Sequence, residues 1–352
     1  MRIIHTILIG LCCLLFLVLL GIALRIQLFR TTRIYEPVSM QTEQFTVPAE
    51  PFDLDQAIQN GKAFSIPYPD DERFTILWGT DFHLRKGPFS RRKRVYALLQ
   101  RAFEKTDPDL TVITGDLLYS YEALDLLKEF ASFMEEQGRY WAYSFGNHDG
   151  QFTSDRKTLG TALKAYPHAL FSMGEDWVRG YSDYPLVLNW NGKPTQALVL
   201  LDSHDSRRYA QGKIGPDYLY PSQIAWYRWV EDGLSVPLYA FVHIPLPEFK
   251  SLWESGTALG VKQDKQVNVS LENSGMFKAM QEKGFTQAVF CGHDHLNDFA
   301  GNWDGIDLVY GRSASYGSYG SPSFPKGVKT ITLQPNSPAY TMQTYTVDQW
   351  GL

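Results

Sequence analysis

Cys291-Gly292-His293-Asp294-His295 places two imidazoles one residue apart, directly behind the apolar run Ala288-Val289-Phe290. Thr286 to Phe290 reads as a short buried strand that Gly292 ends, so both histidines fall in the loop at its carboxyl end. Open α/β sheets bind their ligands at that end of their strands. One such pair also occurs in ordinary turns, so a metal site needs donors from elsewhere in the chain.

Working back from that turn, four more strand ends supply them. Phe74-Thr75-Ile76-Leu77-Trp78 reads as a buried strand, and Gly79 opens a turn carrying Asp81 and His83. Val95, Leu98, Leu99, Ala102 and Phe103 recur at helical spacing behind a Ser90 cap. Leu110 to Thr114 is the next strand, followed by Gly115 and Asp116. Strand, helix, strand is a parallel crossover unit. A helix from about Tyr121 to Glu136 and a strand Tyr140 to Phe145 repeat it, ending in Gly146-Asn147-His148-Asp149. Antiparallel strands are expected near Leu186 and Leu198, an aromatic helix over Ile224 to Val230, and a strand Leu238 to Val242 that ends at His243. Pro245 and Pro247 stop its continuation. Glu248 to Ser270 reads as a loop-rich insertion, and the tail holds strand-like runs at Val328 to Leu333 and Tyr340 to Val347.

Collected, the strand-end residues are Asp81, His83, Asp116, Asn147, His148, His243, His293 and His295. Mixed imidazole and carboxylate donors suit zinc, iron or manganese, whereas an all-oxygen set would suit magnesium or calcium. They are too many for one tetrahedral ion. Two ions a few ångströms apart that share a carboxylate is the economical arrangement.

In this order the turns resemble the signature of the calcineurin-like metallophosphoesterases: Asp-X-His, Gly-Asp, Gly-Asn-His-Asp, His, then Gly-His-X-His. Val242-His243-Ile244-Pro245-Leu246-Pro247-Glu248 and Gly292-His293-Asp294-His295-Leu296-Asn297-Asp298 resemble the purple acid phosphatase 29-like branch. The resemblance implies a four-layer α/β/β/α sandwich with two mixed β-sheets. It implies Asp81, His83 and His295 on a first metal, Asp116 bridging, and Asn147, His243 and His293 on a second. It also implies His148 as the leaving-group acid, oriented by Asp149. Two carboxylates and a hydroxide offset about three of the four or five metal charges, leaving a site that attracts a phosphate anion. The metals, manganese, iron or zinc, would lower the pKa of a bound water toward about 7, and the resulting hydroxide would attack phosphorus.

Tyr119, three residues beyond Asp116, stands where purple acid phosphatases carry an iron-binding tyrosine, but His83 takes up the same coordination position, so Tyr119 reads as a residue that supports the ligands from behind or packs beside them. Asp202-Ser203-His204-Asp205 ends the apolar run Ala197 to Leu201 and is open to a substrate or a solvated-loop reading. Arg207 and Arg208 offer a grip for a second phosphate or a headgroup. Asn297, Asp298 and Arg312 are candidates for supporting the ligands, and the Gly311 to Ser323 stretch for a loop at the rim of the site.

Ile7 to Leu24 is almost unbroken apolar sequence, the length a membrane-spanning helix needs. The organisation expected is an anchor over residues 1–30, a proline-punctuated linker or strand-poor collar over 31–71, and the phosphoesterase domain over 72–352. Gly21-Ile22-Ala23 keeps a cleaved signal peptide as the alternative. Arg25, Arg30 and Arg33 argue for a cytoplasmic carboxyl side. Long domains are translocated largely regardless of charge, and an extracytoplasmic domain is the expectation. Asn268-Val269-Ser270 is a glycosylation sequon.

A net charge of −5 argues against a general nucleic-acid binder, and the run Arg91 to Arg94 reads as the solvated start of a helix. Cys12 and Cys13 lie in the apolar segment and Cys291 in the metal motif, so the rest of the chain has no disulfide. The partner expected is a phosphate ester, mono- or diester. A lipid-headgroup or glycolipid phosphodiesterase is the alternative an anchor favours. A metal-binding protein without turnover is the rival from another class, against which the presence of His148 speaks.

Overall fold

The computed structural model describes residues 2–30, 40–87 and 90–351, with side chains of the first helix described over 8–22. The chain divides into two units, 1–35 and 36–352. The first holds helix α1 (Arg2–Arg30), whose described side chains are apolar and exposed, Phe16 by 65%. Among the described residues no helix is long and apolar enough to cross a membrane. The expected span Ile7–Leu24 begins and ends at residues whose side chains lie outside the described ones.

The second unit runs α2 (Leu54–Gln59), β1 (Phe64–Pro67), β2 (Phe74–Gly79), α3 (Arg92–Thr106), β3 (Leu110–Thr114), α4 (Ala123–Glu136), β4 (Trp141–Ser144) and α5 (Arg156–Leu163). It continues through β5 (Tyr184–Trp190), β6 (Lys193–Leu201), β7 (Ser206–Arg208), β8 (Ile214–Pro216), α6 (Pro221–Leu234), β9 (Leu238–Val242), α7 (Pro247–Glu254) and β10 (Leu259–Lys262). It closes with α8 (Met276–Gln281), β11 (Thr286–Cys291), β12 (Asn297–Trp303), β13 (Ile306–Tyr310), β14 (Gly327–Leu333) and β15 (Tyr340–Thr346).

Two large mixed sheets result, ordered β1-β5-β6-β9-β11-β13-β12-β10 and β15-β14-β2-β3-β4, with β7 and β8 forming a separate hairpin. Their central strands are parallel: β6, β9, β11 and β13 in one, β2, β3 and β4 in the other. Such strands are buried on both faces, which is why Leu-Thr-Val-Ile-Thr of β3 is buried throughout. The inner faces pack together through Ile76, Trp78, Val112, Leu198, Phe241, Phe290 and Ile331. The outer face of the smaller sheet is covered by α3, α4 and α5 through Val95, Leu99, Leu127, Phe130 and Leu159. Trp226, Val230, Phe249 and Met280 of α6, α7 and α8 cover the larger sheet. These three cores separate four layers, α/β/β/α, as expected. Because the parallel strands of each sheet point one way, the turns that follow them gather at one end.

Three expectations need correction. The part of the 31–71 collar that is described is woven into the domain: β1 pairs with β5, and Phe52, Ala57 and Tyr68 are buried. Residues 31–39 lie outside the described ones. The Glu248–Ser270 stretch is not loop throughout, because Pro247 starts α7, which buries Phe249 and Leu252. β10 pairs along β12 as an edge strand. A short helix with only two buried side chains, and a mostly exposed edge strand, give too little periodicity to read from sequence. Ser90 is also not the cap of α3: Arg91 holds that place, without a side-chain cap bond.

Candidate metal centre

Each candidate ligand stands one to four residues past the end of a parallel strand, in a turn with little room. Asp81, His83, Asp116 and His293 adopt φ values of 56°, 47°, 50° and 79°. Left-handed backbone in non-glycine residues costs about 1–3 kcal/mol each and persists only where surroundings over-determine it. Here backbone bonds do so: Asp81 N–H donates to the Gly115 carbonyl at 3.2 Å, and His83 N–H to that of Asp116 at 2.8 Å. The motif glycines have a second reason. A Cβ on Gly146 would lie 2.3 Å from Asp116 Oδ1, and one on Gly292 would lie 1.9 Å from Thr80 Oγ1 and 2.8 Å from Asp81 Oδ2.

Asp81, His83 and His295 come together as one buried group whose ligand atoms lie within 4.8 Å, and Asp81, Asp116 and His243 as another. His295 Nε2 is 3.3 Å from Asp81 Oδ1 and 3.1 Å from His83 Nε2. Asp116 Oδ2 is 3.3 Å from His83 Nε2 and 3.2 Å from His243 Nε2, so one oxygen faces a histidine of each group. Asn147 Oδ1 is 3.1 Å from His243 Nε2. The rings of His293 and His243 are 5.2 Å apart, and His293 N–H donates to Asp81 Oδ2 at 3.1 Å.

The donor chemistry fits metal ions. His243 Nδ1 faces the Thr114 carbonyl at 3.0 Å and His295 Nδ1 that of Tyr319 at 3.0 Å, which fixes the proton on Nδ1 and leaves each Nε2 a lone pair. Those lone pairs converge on carboxylates, and Asp81 Oδ1 is buried without a hydrogen-bond donor. Electrostatics point the same way. Burial opposes charge on Asp81, but His295 holds its carboxyl well below the usual range. Asp116 is held low, against burial, by His243 and His148. Burial would lower His83 and His243, yet Asp116 and Asp81 raise them to about 9 and about 10. His293, buried and facing His243, is pushed down to about 3. The carboxylates draw positive charge into the site, and a cation provides it while using the imidazole lone pairs.

The flanking residues sort themselves by contact. His148 N–H donates to Asp116 Oδ1 at 2.8 Å, its ring lies 5.3 Å from that of His83, and its Nδ1 faces Gln151 Oε1. Asp149 does not orient it: its carboxylate accepts from the backbone N–H groups of Gly146, Leu118 and Asp116 at 2.7, 2.8 and 2.9 Å. It ties the Asp116 and Asn147 turns together instead. Tyr119 packs edge-on to His83 at 5.3 Å and to His148 at 4.8 Å. Asn297 donates to Asp294 Oδ2 at 3.1 Å inside the histidine turn. Asp298 and Arg312, by contrast, pair with each other at 2.7 Å, and Lys329 joins Asp298 at 2.7 Å.

Arg207 is spoken for by Asp217 at 3.2 Å and by the Tyr218 ring at 4.1 Å, so it is not a phosphate grip. Arg208 is exposed on the β7–β8 hairpin. Asp205 pairs with Arg156 at 2.7 Å, and Asp202 accepts from Tyr181 and His204 N–H; this turn is structural. Thr80, Gln151, Asn268 and Tyr319 were missed in the sequence. Thr80 is adjacent to a candidate ligand and Tyr319 lies in the Gly311–Ser323 stretch read as a rim loop, which were usable signals, but Gln151 and Asn268 gave none.

This chain is similar to known proteins. The family description "calcineurin-like phosphoesterase" matches residues 74–297. The probable inactive purple acid phosphatase 14 of Arabidopsis thaliana is 29% identical over 306 residues, 75% of this chain and 76% of its own. The probable inactive purple acid phosphatase 29 of the same plant is 27% identical over 304 residues, 75% of this chain and 77% of its own. A dimetal phosphatase from Danio rerio shares the fold at a TM-score of 0.51 and 12% identity, over 78% of this chain and 98% of that one. Family match, sandwich and clustered turns agree, and the chain belongs to the calcineurin-like phosphoesterases.

Proposed function

We propose that this protein is a dinuclear-metal phosphoester hydrolase. The observation that carries the reading is Asp116 Oδ2, held between His83 and His243 at 3.3 and 3.2 Å, where one carboxylate can serve two ions. Asp81, His83 and His295 would hold the first ion, and Asn147, His243 and His293 the second. When bound, the ions supply Lewis-acid polarisation of the ester and an activated water. Mixed nitrogen and oxygen donors favour manganese, iron or zinc over magnesium.

The chain's own residues do the rest. His148 is tied to Asp116 through its backbone, and in the imidazolium form, with Nδ1–H held by Gln151 Oε1, its Nε2–H is the proton left to donate to the departing oxygen. Gly146 and Gly292 let the carboxylates approach without side-chain obstruction. The two Arabidopsis relatives are named probable inactive; here the support for turnover is the full donor set with an imidazole beside it. We also infer a membrane tether, supported by the apolar run Ile7–Leu24 and by the 29-residue length of α1, with the domain on the extracytoplasmic side because long domains are translocated largely regardless of flanking charge.

The test uses the full chain in detergent, with p-nitrophenyl phosphate and its bis-ester as substrates and added manganese. The parent turns over, chelation stops it, and Asp116→Asn lowers turnover by more than about 100-fold with two-state melting intact. The faster ester separates monoesterase from diesterase. Two bound ions without turnover of either ester, or of a phospholipid diester, would establish a binding protein instead.

A further inference from the structure

We infer that Tyr319 and Asn268 are positioning residues, each setting the geometry of one metal subsite through one histidine of the Gly-His-Asp-His turn. The inference rests on the dinuclear reading above. Tyr319 holds His295 in three ways. Its ring stacks on the imidazole at 4.2 Å with 4° between the planes. Its hydroxyl accepts the His295 N–H at 2.9 Å, and its carbonyl faces Nδ1 at 3.0 Å. The plane, the tautomer and the backbone of this histidine are therefore fixed by one residue, and Nε2 is left to face Asp81 and His83. The hydroxyl's own proton points to Asp264 Oδ2 at 3.4 Å, and that carboxylate also accepts Leu296 N–H at 2.8 Å.

Asn268 plays the corresponding part for His293. Its side-chain amide lies 3.0 Å from His293 Nε2, and its N–H donates to Asp294 Oδ2 at 2.9 Å. With Nε2 engaged, Nδ1 is the ring nitrogen left for a metal. A metal on Nδ1 puts the proton on Nε2, and a half-turn of the amide presents Oδ1 to accept it. The two residues come from different segments, one before β11 and one after β13, and touch different histidines. Their effects should therefore be separable, which a general loss of packing would not be.

Cobalt(II) titration of the metal-free full chain in detergent, read by visible absorption and by bound metal, tests this without reference to turnover. The parent takes up two equivalents. Tyr319→Leu weakens one of them by about 10–100-fold and spares the other, the range typical for partners that orient a ligand. Asn268→Ala weakens the opposite one. Asn268→Asp, which keeps an acceptor against Nε2, restores affinity, and Tyr319→Phe, which keeps the stack and the carbonyl, loses less than Tyr319→Leu. In a His83→Ala background, where one equivalent remains, Asn268→Ala still weakens it and Tyr319→Leu does not. Uniform weakening of both equivalents, or none, with an unchanged circular dichroism spectrum, overturns the inference. A parent that binds fewer than two ions overturns the dinuclear reading itself, and this inference with it.

Discussion

Gly146→Ala is the most economical probe of the centre, because it adds one methyl group and removes no ligand. That methyl would sit 2.3 Å from both the amide nitrogen and Oδ1 of Asp116, and 2.9 Å from its Cγ. Ordinary contact begins near 3.4 Å, so the carboxylate or the turn must recede by about 1 Å. The flexible end of a side chain could swing aside, but the Asp116 backbone nitrogen cannot, since it donates to Asp149 at 2.9 Å. Overpacking of this kind costs about 1–3 kcal/mol of stability. A displacement of about 1 Å in a reacting constellation costs about 100-fold in rate, or close to 2.7 kcal/mol of barrier. The assay compares kcat/KM for the aryl phosphate with bound metal and the thermal melt. A variant that melts within a degree of the parent, binds two ions and keeps full activity would refute the placement of Asp116 between the two subsites.

Two further outcomes follow from buried carboxylates. Asp149→Asn replaces an acceptor of three backbone N–H groups by a partial donor; it lowers stability by about 1.5–3 kcal/mol and loosens metal binding, without giving His148 a new pH profile. Glu231, on α6, is buried with both oxygens unpartnered, and burial, then Asp232, raises it from 4.5 to about 7. The folded state thus binds its proton more tightly than the unfolded chain. That contribution is fully present below about pH 4.5 and is lost as pH rises through about 7. Glu231→Gln therefore flattens the melting profile between these values, and at pH 8 melts higher by about 1 kcal/mol after discounting for solvent screening, some 2 °C. Melts at pH 5 and pH 8 check the sign, and metal content should not change.

The candidate ligands of this protein are legible because each is announced locally. A short apolar strand and then a carboxylate, an amide or an imidazole is a pattern held within about six residues; a glycine precedes Asp81, Asp116, Asn147 and His293, and His243 follows its strand directly. The layer order was legible for a related reason, since β2-α3-β3-α4-β4 alternates in a way that only a parallel sheet with covering helices satisfies. The orientation of those ligands was not. Asp81 and the His293 N–H it accepts are 212 residues apart, and Tyr319 and Asn268 stand 24 and 25 residues from the histidines they hold. Asp149 was read as a partner of His148 because it is its neighbour in sequence, yet it turns away to bind a strand end 33 residues upstream. Sequence proximity decides which groups arrive at a strand end. Which of them face one another is decided when the two sheets pack, because only then do carboxylates, imidazoles and the loops around them share one small volume and take up the hydrogen bonds it leaves open.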